Sequence, residues 1–341
     1  MKKIVLALML LLAFCLPALA DKDGPDAAQG QLLDRVSGRH WRAVVDWREG
    51  LVEVEGKGYS GRHGVTDPAN AEAIALKEAR ENAYHGLAET LNLVRLAEGT
   101  TVRETAELLT AFRGKIKTLI AGARVLEETT WPFSQGPVAA RVRIGLPLAG
   151  ASGLAGPAFP VAAKGGGEIF RPGQRGQPFD LPFMRSLAAA RPNVPALGLA
   201  DSGPAAKSGP APAPPPLSGR EAAEEPGQTY TGLIVLAQGL SAKPALFPRI
   251  KETGSRRVVY GPALVDREAA MLRGVVGYAA SLRQALTAKR VGAWPLVVKA
   301  VGADGHARCD LLISYLDAVR IFAADLKAGF IQHGRVVIVL N

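Results

Sequence analysis

The sequence predicts an α+β protein with two small helix-on-sheet domains joined by a long proline-rich linker. Val52 and Val54 alternate with Glu53 and Glu55, which is typical of a strand with one solvent-facing side. An alanine-rich helical pattern follows at Pro68–Val94, and strand patterns return after it. Helices and strands that occur in separate runs favour an α+β fold over an alternating parallel one.

The first twenty residues have the parts of a secretory signal peptide. Lys2 and Lys3 are basic, Ile4–Leu16 is a short apolar run, and an Ala-x-Ala site ends at Ala20, just before Asp21. The apolar run is too short to anchor the chain across a bilayer. We therefore expect a periplasmic protein whose mature chain begins at Asp21.

Cys15 leaves lipid anchoring open as the less favoured alternative. Such cleavage sites prefer a small residue before the cysteine, and Phe14 is bulky. With cleavage after Ala20, the mature chain keeps one cysteine, Cys309, and cannot form an internal disulfide. Membrane association stays open for this reason and because the chain is basic.

Length and charge set broad limits. The chain has 341 residues, enough for two modest cores, and a formal net charge of +10. The charges are scattered, which favours a mixed solvated surface; attraction to anionic surfaces is the alternative. Aromatic residues are not interleaved with basic ones, so no nucleic-acid partner is predicted.

Composition divides the chain into four parts. Residues 151–228 hold 14 of the 24 prolines, and Ser208–Gly219 is typical of an extended polyproline-II linker. Such a segment buries too little apolar surface to offset its ordering entropy, so we expect it to be largely disordered. The predicted parts are the signal peptide (1–20), a first domain (21–150), the linker (151–228) and a second domain (229–341).

Aromatic residues lie within this linker. Phe170, Phe179, Phe183 and Met184 are spaced among prolines and glycines in Glu168–Met184. A loosely collapsed tether is the favoured interpretation, and anchors that dock on a domain or a partner are the alternative.

Gly56, Gly58 and Gly61 form a literal G-x-G-x-x-G after the first strand. In a dinucleotide-binding fold the helix begins at the glycines, so that its amides face the pyrophosphate. Here the helix starts later, with Asp67 as the N-cap and Pro68 in the first turn. We interpret the motif as a chance match, and its glycines as a bend between strand and helix.

The rest of the first domain follows in order. Small residues recur every four positions in the helix, which lets its backbone lie close to a sheet. An extended piece with a helical turn, an amphipathic segment and two strands are predicted at Gly99–Leu109, Phe112–Ala121, Ala123–Glu128 and Val138–Leu148.

Residues 45–150 resemble the LPP20 lipoprotein family and the N-terminal domain of the flagellar T-ring protein FlgT. The resemblance rests on VEVEGKGYSG, AEAIALKEARENAYHGLAETL, IKTLIAGARVLEE and ARVRIGLPL. It implies an envelope protein, often attached to a membrane, in an assembly or accessory role, and it brings no catalytic residues. The sequence around Cys15 is a poor match to the lipid-attachment motif (lipobox) of the lipoprotein members, and the chain departs from them in this respect.

The second domain has about five predicted strands and two main helices. Strands are predicted at Tyr230–Leu240, Arg256–Gly261, Pro295–Gly302, Cys309–Ser314 and Gly334–Leu340. Lys243–Ile250 is predicted to be an edge or a loop-like strand because of its prolines. A short helix or turn is predicted at Arg267–Gly277, and helices at Tyr278–Arg290 and Tyr315–Leu326.

Residues that could carry chemistry are few. His306, Cys309 and Asp310 lie close in sequence, but neighbouring strand residues point to opposite faces, so a buried structural cysteine is favoured over a nucleophile. Asp266 and Glu268 flank an arginine, which favours a solvated cap. The five histidines, which lack metal-ligand spacing, are His40, His63, His85, His306 and His333.

These observations predict a non-enzymatic envelope protein that acts through protein–protein contacts in an envelope or flagella-related assembly. No catalytic, cofactor-binding or metal-ligating residues are predicted, and no cofactor. The alternative is a second domain that binds a small ligand or has enzymatic activity, for which the polar turn Asp304–Arg308 is the best hint. The tether would let two domains engage separated sites.

Overall fold

A computed structural model describes residues 32–63, 67–132, 137–173 and 229–340. These residues form helices and sheets in a mixed order, so the predicted α+β class is confirmed. The predicted signal peptide, Cys15, Ser208–Gly219 and the aromatic residues after Phe170 in the predicted linker lie outside the described residues.

The first half of the described chain, residues 32–147, is built on a five-stranded antiparallel sheet with order β1-β2-β3-β7-β6. Its strands are β1 (Leu33–Ser37), β2 (Trp41–Asp46), β3 (Leu51–Tyr59), β6 (Arg124–Pro132) and β7 (Val138–Pro147). The helices are α1 (Pro68–Leu93), α2 (Val102–Leu108) and α3 (Thr110–Ala121), and a small ladder joins β4 (Arg95–Ala97) to β5 (Thr100–Thr101). Strands β1 and β2 were not predicted from the sequence.

Helix α1 packs on one face of this sheet. Its predicted N-cap is confirmed, because the Asp67 carboxylate accepts a hydrogen bond from the backbone N–H of Asn70 at 3.3 Å. Ala75, Ala79 and Ala83 are fully buried against the sheet. The predicted use of small residues for a close helix–sheet contact is therefore confirmed.

The interpretation of the glycine motif as a bend is wrong for two of its residues. Gly56 and Gly58 lie inside strand β3 and face α1. A Cβ atom on Gly56 would overlap the backbone of Ala79 and Ala83, and one on Gly58 would overlap the carbonyl of Ala75. These glycines are required by the close approach of two backbones.

The second half contains two four-stranded sheets. One has order β10-β9-β14-β13 and the other, entirely parallel, has order β11-β15-β8-β12. The strands are β8 (Gly232–Leu236), β9 (Ile250–Glu252), β10 (Val258–Tyr260), β11 (Gly277–Ala279), β12 (Pro295–Lys299), β13 (Gly302–Asp304), β14 (Asp310–Ile313) and β15 (Val336–Val339). The helices are α5 (Arg267–Arg273), α6 (Leu282–Leu286) and α7 (Tyr315–Ala328).

Two predictions for this half need correction. The segment predicted as a helix at Tyr278–Arg290 contains the end of strand β11 and then the short helix α6. Helix α6 begins only after Ser281, whose side chain caps it by accepting from the N–H of Gln284. The strands predicted at Pro295–Gly302 and Cys309–Ser314 are not consecutive in the structure. They belong to different sheets, and β13 lies between them.

The first residues of the predicted linker 151–228 are folded, contrary to the expectation of disorder for them. Helix α4 (Ala155–Lys164) follows the first sheet, and its residues Ala158 and Phe159 are buried. Phe170 is also buried and packs edge-on against Tyr315 of α7, with ring centroids 5.7 Å apart. Phe170 therefore anchors this segment on the second half, as the alternative interpretation held.

Candidate functional site

A cleft lies between the edge of the first sheet and the C-terminal end of α1. It has a volume of about 270 Å³. Its lining mixes apolar and polar side chains: Leu33, Asp34, Arg35, Val36, Val45, Thr90, Leu93, Val94 and Arg95. We call the cleft and the adjoining edge of β1 the β1–α1 groove.

Local sequence explains how the groove forms. Asp34 and Val36 are paired with Val45 and Ala43 of β2, which are buried, so all four side chains point to the helix side of the sheet. Strand β1 pairs with β2 and with no other strand among the described residues, so its second edge has no ladder partner within them. Helix α1 ends at Leu93, which is 50% exposed at the wall of the cleft.

Arg95 and Asp34 form the polar end of the groove. The Arg95 guanidinium donates to Asp34 Oδ2 at 2.6 Å and, through Nε, to the carbonyl of Pro244 at 2.7 Å. Trp47 donates from Nε1 to the same Asp34 oxygen at 2.8 Å, and its ring lies 5.5 Å from the Arg95 guanidinium carbon. Arg95 is thus held by both halves of the chain.

Arg35 differs from Arg95 in its surroundings. Its side chain is exposed and forms no ion pair with another residue in the described part of the chain. Arg35 lies between Asp34 and Val36 in β1, so its side chain points to the opposite face of the sheet from the cleft. Since Asp34 balances the charge of Arg95, Arg35 adds an excess positive charge beside the strand edge on that opposite face.

The groove adjoins a junction between the two halves of the chain. The Glu98 carboxylate accepts from the backbone N–H groups of Ala307 at 2.6 Å and Cys309 at 3.0 Å. The backbone N–H of Leu246 donates to the carbonyl of Arg95 at 2.9 Å, in the manner of a short strand pairing.

Aromatic side chains complete the junction. Trp47 meets Tyr278 edge-on, with ring centroids 6.2 Å apart, and Phe159 of α4 lies against Phe247. The buried Tyr278 hydroxyl donates to the carbonyl of Ala245 at 2.7 Å, and burial raises the pKa of this phenol. A continuous cluster of buried residues runs through both halves, so they present one composite surface.

The candidate nucleophile cluster is divided among separate environments. His306 is exposed in a turn, whereas Cys309 is buried beside Glu98 and burial raises its pKa to about 12. Asp310 is buried and accepts from the N–H of Arg249 at 2.8 Å, while Lys251 Nζ lies 2.7 Å from its other oxygen. Asp310 therefore accepts a backbone hydrogen bond and balances the charge of Lys251, and the backbone N–H of Cys309 binds Glu98. The predicted burial of Cys309 is confirmed.

The other singled-out residues are dispersed. Asp266 precedes α5 and lies 3.7 Å from the ring of His333, while His85 packs edge-on against Trp41. Across residues 32–63, 67–132, 137–173 and 229–340, no three His, Cys, Asp or Glu side chains lie close enough together to hold a metal ion.

Sequence reasoning did not single out Arg35, Leu93 or Arg95. One weak signal is present in the sequence, at Leu93. The buried residues of α1 recur every four positions up to Leu91, and the apolar Leu93 falls outside this spacing. The groove itself depends on how far α1 lies from the strand edge, and no local pattern encodes that distance.

Residues 232–341 match a protein-family model described as the second domain of Treponema pallidum Tp0624. The match covers about a third of the chain and runs from β8 past β15. That description names a domain and no activity. No curated protein matches the chain. None of the helices in the described ranges is both long enough and apolar enough to cross a bilayer.

Proposed function

We propose that this chain is a non-enzymatic periplasmic protein that acts through protein–protein contacts in an envelope or flagella-related assembly. The observation that carries the proposal is the β1–α1 groove, in which a strand edge without a ladder partner among the described residues lies beside a small cleft of mixed polar and apolar lining. This pairing of features suits recognition of another polypeptide.

The size of the cleft favours a protein partner over a small molecule. Small-molecule sites enclose roughly 300–1,000 Å³ and bury most of the ligand. The cleft, at about 270 Å³, is no larger than the smallest of these sites, and it lies open beside the strand edge, so it would leave much of a small ligand exposed. It has room for one large side chain from a partner.

Further support comes from the polar groups that could otherwise serve catalysis. Glu98, Asp310 and Cys309 each take part in contacts that hold the fold or the junction. The junction also favours a single composite contact surface over two domains that reach separate sites.

The envelope location rests on sequence. The signal-peptide pattern supports export, and the resemblance of residues 45–150 to the LPP20 and FlgT N-terminal families supports an assembly role. The match to a domain of a Treponema pallidum protein is compatible with this proposal but names no partner.

In-cell photo-crosslinking tests the proposal. A photo-reactive phenylalanine derivative replaces, one at a time, the exposed residues Leu93, Trp131 and Leu326, which lie on three different elements, α1, β6 and α7. We expect a defined adduct with another polypeptide at one or more positions in the periplasmic or envelope fraction. Export of the chain with no adduct at any of the three positions would contradict a contact role.

A further inference from the structure

We propose that the β1–α1 groove binds an extended segment of a partner protein by strand addition to β1. One bulky apolar side chain of that segment enters the cleft, and a nearby carboxylate pairs with Arg35. The proposal rests on the proposed function and names the chemistry of the partner.

Strand addition follows from the position of β1 in the sheet. Five residues of β1 are paired with β2 on one side, and the other side pairs with no strand in the described ranges. Alternate residues of β1 direct their N–H and C=O groups toward that second side. An extended peptide can use these main-chain groups irrespective of its own sequence, while side-chain pockets give selectivity.

The apolar side chain is suggested by the exposed part of the cleft. Its apolar surface comes chiefly from Val36 and Leu93, because Val45 and Val94 are almost fully buried. Leu93 is half exposed, so an inserted aliphatic or aromatic side chain would remove its surface from water. The volume of about 270 Å³ is sufficient for one such side chain.

The carboxylate is required by the charges around the groove. Arg95 is already paired with Asp34 at 2.6 Å, so its charge is balanced within the chain. Arg35 has no ion-pair partner among the described residues, and it lies on the strand that a peptide would join. An acidic residue in the bound segment would complete this charge pair.

The opposite edge of the same sheet is a weaker candidate. Strand β6 is longer, but a register shift interrupts it between Val125 and Glu127. Glu127 and Glu128 on β6 are already paired with Arg143 and Arg80. Bulges and charges of this kind protect edge strands from pairing.

A positional-scanning library of eight-residue peptides tests the proposal with the chain that lacks residues 1–20. One central position is fixed in turn as each amino acid, and binding is measured by fluorescence anisotropy. We expect the strongest binding with a fixed aromatic or large aliphatic residue, and a further gain when aspartate or glutamate is present in the peptide.

Matched variants locate the site. Leu93→Ala should weaken binding of the best peptide about 10-fold, and Arg35→Glu should weaken acidic peptides about 5-fold. The exposed controls Leu326→Ala and Arg283→Glu should leave binding unchanged. Equal effects of groove and control variants would overturn the assignment.

Backbone methylation tests strand addition itself. Methylating alternate peptide nitrogens should abolish binding for the set that faces β1 and leave the other set within about two-fold, because ladder N–H groups alternate in direction. Equal tolerance of both sets, or a library without positional preference, would overturn the inference. A partner adduct at Trp131 or Leu326 together with such a result would leave the proposed function standing.

Discussion

The carboxylate of Glu98 accepts a hydrogen bond from the backbone N–H of Cys309, 211 positions later in the chain, at 3.0 Å. The same carboxylate accepts from Ala307 at 2.6 Å. A single side chain of the first half thus satisfies two main-chain donors of the second. This contact and the Arg95 bridge to Pro244 fix the two halves together directly beside the groove.

Removal of this carboxylate should destabilise the junction. Glu98→Ala leaves two amides without an acceptor, and hydrogen bonds to charged groups are worth about 1.5–3 kcal/mol each. Because Glu98 is half-buried and water can replace part of these bonds, we expect a decrease in the free energy of unfolding of about 2–4 kcal/mol, less than the full sum. Glu98→Gln, which keeps one acceptor oxygen, should have an intermediate effect. Urea denaturation followed by circular dichroism measures these changes.

The matched control is Glu107→Ala, because Glu107 is exposed on α2, outside the junction. We expect its effect on the free energy of unfolding to stay within about 0.5 kcal/mol. A Glu98→Ala chain as stable as this control would show that the junction contributes nothing to stability.

Gly305 should tolerate no side chain. Its φ of +80° is in the left-handed region, and a Cβ atom would overlap the Glu98 carboxylate. Gly50 has a φ of +66° with nothing within 4 Å of its Cβ position, so it has the backbone strain without the overlap. We expect Gly50→Ala to cost about 1–2 kcal/mol and Gly305→Ala to cost more, measured as denaturation midpoints. Equal costs would contradict the close contact with Glu98.

Cys309 should report whether the junction is closed. Burial raises the pKa of its thiol from 9.0 to about 12, so at pH 8 its thiolate fraction falls about 1,000-fold. In the chain that lacks residues 1–20, we expect slow reaction with a disulfide reagent in the folded state and fast reaction in urea. Glu98→Ala should accelerate the native reaction, whereas equal rates in folded and unfolded chains would contradict burial of the thiol.

The raised pKa of the Cys309 thiol also makes the free energy of unfolding depend on pH. Because the folded-state pKa lies above the unfolded value, the unfolded thiol ionises first as pH rises. The free energy of unfolding should therefore be unaffected by this group below about pH 9 and should fall between about pH 9 and pH 12. Cys309→Ser, compared with the parent chain across this range, should remove the part of the decrease that Cys309 causes.

Local patterns predicted the centre of the first sheet and its helix well. The alternation at Val52 and Val54, the Asp67 cap and the small residues of α1 act over short distances, and the structure has β3, β6, β7 and α1 near the predicted positions. The prediction at Tyr278 failed because pairing of β11 with β15 overrides the helical pattern that follows it.

The junction and the groove could not be predicted in the same way. Glu98 and Cys309, or Arg95 and Pro244, are brought together by the packing of whole sheets, and nothing near Glu98 in the sequence marks its distant partners. The role of Gly58 was missed for a related reason. A glycine in a strand looks the same in sequence whether it bends the chain or admits a helix backbone.

Replacement of Gly58 by alanine tests the packing of α1 on β3. A matched replacement at Gly114 should change the free energy of unfolding in the opposite direction. A Cβ atom on Gly58 would overlap the Ala75 carbonyl, and backbone atoms on both sides cannot move aside as a side chain can. We expect Gly58→Ala to lower the free energy of unfolding by about 3 kcal/mol or more, at the upper end of overpacking effects.

Gly114 is exposed in the interior of α3, with nothing within 4 Å of its Cβ position. Gly114→Ala should raise the free energy of unfolding by about 0.5–1 kcal/mol, because alanine favours the helix and restricts the unfolded chain. Denaturation curves of the two single variants and of the double variant measure both effects, which should add, since the sites share no contact partners. A stabilising or neutral Gly58→Ala would mean that α1 lies farther from β3 than the glycine–alanine contact requires.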